Sequence, residues 1–207
     1  MAAAVFAAAE TGCDWLWLVG PGAVVEPTAL EALLAAAADA QALGNPVLFA
    51  AKPVDGAGRL DATAAPVLRI LAREQAIAGA RHRLVALRAA SYGSLLVHRR
   101  AVERHGPPRV DFAGAGDDLE WTGRILRDDP GYMVPGSVVR RPAGVVRDQR
   151  ALARNRVRML RGEGLAGPER LWSAFVLTQD LLGAVAARPA TAPGLLRAVG
   201  AGARAGG

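Results

Sequence analysis

Asp117-Asp118-Leu119-Glu120 places three carboxylates within four positions, after Gly114 and Gly116 and directly before Trp121. Such a cluster suits proton abstraction from a sugar hydroxyl. A general base must come within hydrogen-bond reach of its proton, and burial or a neighbouring carboxylate lifts its pKa towards the working range. Trp121 adds a flat apolar face of the kind on which a sugar ring packs. The same residues have a structural reading. Asp117 with Glu120 three positions on has the spacing of a capping box, although that motif normally opens on Ser or Thr. Acidic side chains also favour helix N-termini through the macrodipole. Composition alone favours the structural reading, and the two are compatible, since one carboxylate can cap while another faces a substrate.

The elements that position this run follow from the apolar pattern. A chain of 207 residues, 52% hydrophobic, supports one compact domain. Residues 2–10 read as a small-residue helix ended by Gly12. Asp14 to Val19 is a short apolar run stopped by Gly20-Pro21-Gly22, as a buried strand would be. Pro27, with Leu30, Leu33 and Leu34 at three- and four-residue spacings, predicts a helix over about 27–42. Val47 to Ala51 reads as the next buried strand. Residues 66–90 divide between a helical pattern (Val67, Leu68, Ile70, Leu71) and a strand pattern (Leu84, Val85, Leu87). Ser91 to Val97 reads as a strand, Arg99 to His105 as a short helix, and the acidic run as the start of a helix reaching about Arg127. Tyr132–Pro135 and Ser137–Val139 read as two extended pieces around a Pro-Gly turn. Beyond them an Arg-rich helix over 148–161, an apolar helix over about 168–187 and a fraying Gly/Ala-rich end are expected. The alternation predicts an α/β core over 1–145 with a largely parallel sheet, followed by a helical extension over 146–207.

Of the 25 basic residues, 24 are Arg and one is Lys52, so the +6 net charge reflects base composition as much as a polyanion partner. Cys13 is the only cysteine, which excludes an intrachain disulfide and a cysteine metal cluster, and it is expected to sit inertly in the core. The opening ten residues lack the positive n-region of a signal peptide, and the stretch Leu171–Ala187 is short for a membrane span. A cytoplasmic location is the expectation. His82, His98 and His105 have no chelating spacing. Trp15 and Trp17 alternate on one strand, where core packing is expected. No phosphate-loop or dinucleotide motif is present.

Ordered segments carry a resemblance. They are Ser91-Tyr92-Gly93-Ser94-Leu95-Leu96-Val97, the short helix ending in Gly106-Pro107-Pro108, Gly116-Asp117-Asp118-Leu119-Glu120-Trp121, and Tyr132-Met133-Val134-Pro135-Gly136-Ser137. Together they resemble the acceptor half of family 2 glycosyltransferases of the GT-A type. Asp14–Leu18 and Glu26–Leu33 are similar to that family's central strand and the helix after it, and Arg154-Asn155-Arg156 to a helix that often follows the core. The resemblance implies a mixed, mainly parallel sheet flanked by helices. It also implies an inverting transfer from a nucleotide-sugar donor to a hydroxyl of a cell-envelope polysaccharide or lipid-linked glycan. Asp117 or Asp118 would be the base, with Glu120, Trp121, Gly93 and Arg140 in substrate-binding positions.

Three departures qualify it. Relatives hold magnesium or manganese on an acidic motif between the central strand and the next helix, where oxygen ligands suit a hard cation. Here that place reads Gly20-Pro21-Gly22, and where many relatives have a metal-binding His this chain has Arg140-Arg141. No metal ligand and no cofactor is therefore assigned. A guanidinium can bind phosphate oxygens in the cation's stead, although solvated surface charge is the favoured reading of both arginines. The third departure is that the nucleotide-pocket strands expected at the front have no counterpart. The alternative reading is an inactive pseudo-glycosyltransferase acting as a binding or scaffold protein. Eight arginines between 140 and 161 suggest a peripheral contact with the inner face of the plasma membrane, aided by Leu171, Trp172, Phe175 and Leu177. Nucleic acid is the weaker partner, because interleaved aromatics and a reader motif are missing.

Overall fold

The computed structural model describes residues 5, 8–69, 72–112, 116–140, 149–161, 167–187 and 189–204. They form two compact units. Unit 1 comprises Met1–Pro108 with Trp121–Val145, and unit 2 comprises Arg109–Glu120 with Val146–Gly207. The segment that carries the acidic run is thus grouped with the C-terminal helices.

Unit 1 is an α/β unit built on a mixed sheet. Its strands are β1 (Trp15–Val19), β2 (Val24–Val25), β3 (Leu48–Val54), β4 (Val67–Leu68), β5 (Val85–Ala89), β6 (Ser94–His98) and β7 (Gly131–Arg140). The order is β1-β6-β3-β7-β5-β4, with β2 also paired to β7. Only β3 and β7 run parallel; every other pairing among the named strands is antiparallel. The expectation of a mainly parallel sheet is corrected on this point. Apolar runs separated by helical patterns fix which residues form strands, but strand direction is set by pairings distant in sequence.

Alternation along the central strands explains how both sheet faces are covered. Leu48 and Ala50 of β3, with Leu95 and Val97 of β6, join a core that includes Trp121, Ile125 and Leu126. Phe49 and Leu96 point the other way, into a core with Leu33, Leu43 and Tyr132. Two helices, α3 (Arg99–His105) and α4 (Asp117–Asp128), supply residues to the first core, α4 from Trp121 onward. Leu33 of α1 (Ala29–Ala38) supplies the second. The segment similar to a central family strand, β1, lies instead at the sheet edge. Only Leu16 of it is buried, while Trp17 and Val19 are each 38% exposed. Trp15 is half-buried against Phe49 and His98, Trp17 donates its indole N–H to Ser94 Oγ at 3.0 Å, and Cys13 is exposed rather than core.

The ambiguous region contains β4, α2 (Arg73–Arg81) and β5. Val67 and Leu68, which read as helical, are an exposed strand paired to β5. Residues 70–71 lie outside the described residues. Pro135-Gly136 is not a turn between two strands. Strand β7 runs through it, and the β3 register jumps from Ala51↔Val134 to Lys52↔Val138, so three residues of β7 are accommodated without a β3 partner. A parallel neighbour on one side and β5 and β2 on the other hold both flanks of this irregularity in line.

Side-chain bonds to backbone dock the unit 1 portion of α4. The Thr122 hydroxyl is fully buried, accepts from Ala90 N at 3.0 Å and donates to Ala90 O at 2.9 Å. Arg88 donates to Gly123 O at 2.5 Å. The indole of Trp121 donates to Gly106 O at 2.8 Å, and Arg124 donates to the carbonyls of His105 and Pro107. His105 Nε2 lies 2.7 Å from Asp129 Oδ2.

Unit 2 contains α5 (Gln149–Arg161), α6 (Gly167–Ala187) and α7 (Ala192–Arg204). The Gly/Ala-rich end expected to fray is helix α7, with Leu195 and Gly202 buried. Its glycines permit close helix contact. A Cβ on Gly202 would strike the Arg154 carbonyl, and one on Gly194 would lie 2.6 Å from Arg150 Nε.

Replacing Thr122 with Val keeps the volume and strands both Ala90 backbone groups. A loss of about 1–3 kcal/mol in urea unfolding is expected, the usual cost of buried unsatisfied polar groups. An unchanged midpoint would show that this hydroxyl does not hold α4.

Candidate functional site

The acidic residues occupy the first turn of α4, but Asp117 is not its cap. Gly116, at φ +86°, accepts the first helical bond from Glu120 N at 3.0 Å, so Asp117 is already helical and Glu120 lies one position beyond capping-box spacing. The left-handed glycine turns the chain into the helix beside α5, its Cβ position 3.5 Å from Leu152 Cδ1. Within this turn Asp118 is buried and its Oδ1 accepts from Leu119 N at 2.8 Å. Asp117 and Glu120 are partly exposed. Three carboxylates thus gather in the first turn of one helix. The Asp117 carboxyl, open to solvent, is within reach of a hydroxyl brought to about 3 Å.

The approach to this turn is held inside unit 2 by contacts that sequence reasoning did not identify. Residues Val110–Phe112 form a 3-10 turn. Asn155, fully buried on α5, donates to Phe112 O at 2.7 Å. Arg158 donates to Asp111 O at 2.6 Å and to its carboxylate at 2.7 Å, and Arg109 grips the same carboxylate as a fork at 3.1 Å. Both guanidinium groups stack near the Phe112 ring, at 5.5 Å (Arg109) and 4.9 Å (Arg158) from its centroid. The hydrogen bond from Arg109, then the positive charges of Arg109 and Arg158, hold the Asp111 carboxyl below its ordinary pKa. In the sequence Asn155 stands between Arg154 and Arg156, which hides that its amide is buried and bonded. Residues 113–115, including Gly114, lie outside the described residues.

The remaining expected site residues belong to unit 1. Trp121, expected to offer a face to a sugar, has no exposed surface. Its indole is bonded to Gly106 O and its ring packs against Tyr92 at 6.1 Å between centroids. The ring is a core side chain in this conformation. Gly93 and Arg140 come close together through β7. The Gly93 Cβ position is 3.1 Å from Val139 Cγ1, and Arg140 Nε donates to Glu26 Oε1 at 2.8 Å. Arg140 and Glu26 form a partly exposed ion pair, so the guanidinium already has a carboxylate partner. Arg141 lies outside the described residues.

Between β1 and β2 the chain makes a tight turn. Ala23 N donates to Gly20 O at 3.1 Å, with Pro21 at the second position and Gly22 at φ +72° in the third, the signature of a type II turn. Gly20 N donates to Gly93 O at 3.1 Å, and a Cβ on Gly20 would collide with the Tyr92 carbonyl. These residues do not fit a divalent cation. They carry no side-chain oxygen, and position 20 has no room for one. Among the described residues no three His, Cys, Asp or Glu side chains gather as metal ligands.

Two outcomes check this geometry. Gly20→Ala should cost about 1–3 kcal/mol in thermal unfolding, because the added methyl meets backbone. Asp111 has a depressed folded pKa, so its contribution is present above the unfolded value near 4 and is lost as pH falls through the lower folded value. Acid should therefore loosen the 109–112 turn, read by amide exchange, and Asp111→Asn should flatten that pH dependence. No protein-family model matches the chain and no curated protein matches its sequence, so the family resemblance rests on the motifs themselves.

Proposed function

We propose that the chain is a GT-A-like glycosyltransferase of the inverting kind, with the first turn of α4 serving the acceptor. The observation that supports it is the carboxylate set at that turn. Asp117 is partly exposed at a helix N-terminus, directly after a left-handed glycine and beside buried Asp118. The ordered motifs on either side add the family resemblance.

In this reading the acceptor hydroxyl gives its proton to an Asp117 carboxylate oxygen as its own oxygen attacks the anomeric carbon of a nucleotide sugar. The new glycosidic bond forms on the face opposite the leaving group. The bond to the diphosphate breaks, and the nucleoside diphosphate leaves with the electron pair. Asp118, buried on the same turn, holds its Oδ1 on Leu119 N and leaves the solvent side to Asp117. Glu120, on the same turn, binds acceptor hydroxyls in this reading. No step passes through a metal, since the turn at Gly20 does not fit one.

That same turn favours a second reading, a glycan-binding protein that retains the acceptor side without turnover. The two separate by nucleoside diphosphate release from a panel of UDP-, GDP- and dTDP-sugars with candidate glycan acceptors. The transferase reading expects release, with Asp117→Asn slower by about 10²–10⁴-fold, the usual contribution of a positioned base, at unchanged glycan affinity. Full-rate release by Asp117→Asn would refute Asp117 as the base. Glycan binding without release would establish the second reading.

A further inference from the structure

Among the described residues no helix is long and apolar enough to cross a membrane. The Arg-rich helix expected to meet one, α5, buries Ala151, Leu152, Ala153 and Asn155 and commits Arg158 to Asp111. A cation with no such commitment lies in unit 1, on the central strand β3.

Lys52 is the one lysine of the chain and the one residue of β3 that is only partly buried. Strand alternation puts its stem on the face that carries Leu48 and Ala50. Among the cations of unit 1 that are at least partly buried, Arg69, Arg88, Arg99 and Arg124 each hold a carbonyl oxygen or a carboxylate. Lys52 has no hydrogen-bond or ion-pair partner among the described residues.

The pairing of β3 with β7 brings a second cation to that face. Lys52 pairs with Val138 and Val54 with Arg140. Paired residues point to the same side of a sheet, so Arg140 is the diagonal neighbour of Lys52, about 7–8 Å away across the strands. Glu26, whose N–H donates to Val138 O, holds only the Nε of Arg140, at 2.8 Å. Two cations thus share one acid. Both lie towards the carboxyl ends of β3 and β7, the one parallel pair among the named strands, and ligands of α/β sheets bind at such ends. The register shift between Ala51 and Lys52 falls immediately before this row, and strand irregularities of that kind re-aim side chains beside functional sites.

We propose that Lys52 and Arg140 hold the diphosphate of a nucleotide, Lys52 as a point charge and Arg140 through the guanidinium nitrogens that Glu26 leaves open. An ammonium and a guanidinium both bind phosphate oxygens through charge-assisted hydrogen bonds. The identity of the anion rests on the transfer reading. The pair supplies fixed positive charge in a chain whose turn at Gly20 offers no metal ligand, and such charge offsets what a leaving diphosphate gains as its bond to the sugar breaks.

The single lysine makes the test direct. Reductive methylation with isotope-labelled formaldehyde keeps the amine charged and labels only Lys52 and the α-amino group. On the full chain in metal-free buffer, the Lys52 methyl resonance should shift saturably with UDP, GDP and inorganic pyrophosphate and stay in place with uridine. In calorimetry Lys52→Gln should weaken binding of the same diphosphates about tenfold, while Lys52→Arg, which keeps the charge, should bind within about threefold of the parent. A resonance unmoved by all three diphosphates, or an equal response to uridine, would overturn the proposal without recourse to a variant. So would Lys52→Gln binding as tightly as the parent. Diphosphate bound at Lys52 with no release from nucleotide sugars would leave this site standing and refute the transfer reading.

Discussion

Strand β7 is the constraint around which unit 1 is organised. It pairs in parallel with β3 along one side and with β5 and then β2 along the other. Its side chains tie down what lies beside it. Tyr132, fully buried, donates to Leu43 O at 3.0 Å, and Ser137, also buried, donates to Ala29 O at 2.8 Å. The three residues of β7 that lack a β3 partner place Ser137 under α1 and bring Val139 and Arg140 to the turn between β1 and β2. There Gly20 lies against the Tyr92 carbonyl, Gly93 against Val139, and Arg140 against Glu26. The closeness that excludes a side chain at position 20 follows from this strand arrangement, which makes the lack of ligands a property of the backbone as well as of residue choice.

Within unit 2 the corresponding constraint is the buried amide of Asn155. By bonding Phe112 O it fixes the 109–112 turn to α5, while Leu152, one helical turn earlier, meets the position of Gly116. The segment leading to the carboxylates is therefore held at both ends by one helix. Arg158 and Arg109 bind the Asp111 carboxylate, and together with the buried amide they fix the 109–112 turn to α5.

Local chemistry made much of this legible in the sequence. Apolar runs bounded by Gly and Pro located β1, β3 and β6, and leucine spacing located α1. The carboxylate cluster was plain at Asp117 to Glu120. What was not legible depended on partners far along the chain. Strand direction came from pairings such as Leu48 with Gly131. Pro135-Gly136 has turn chemistry, yet neighbours on both flanks keep β7 continuous. Trp121 beside three acids read as a ligand platform, whereas Gly106 and Tyr92 claim it for the core. The Gly/Ala-rich composition of α7 reads as a fraying end, and its glycines matter because α5 lies against them. The expected capping role of Asp117 failed by one residue, since helix onset depends on which carbonyl closes the first bond.

The proposed function assigns the acidic turn of α4 to an acceptor hydroxyl, and the turn at Gly20 carries no side-chain oxygen for a divalent cation. The second is the more exposed to contradiction, because position 20 cannot gain a ligand without displacing the Tyr92 backbone. Calorimetric titration of the chain with nucleoside diphosphates, with and without manganese, tests it directly. The account predicts the same dissociation constant in both conditions, after correction for manganese binding to the nucleotide itself. A dissociation constant lowered about tenfold or more by manganese, equivalent to about 1.4 kcal/mol, would contradict it.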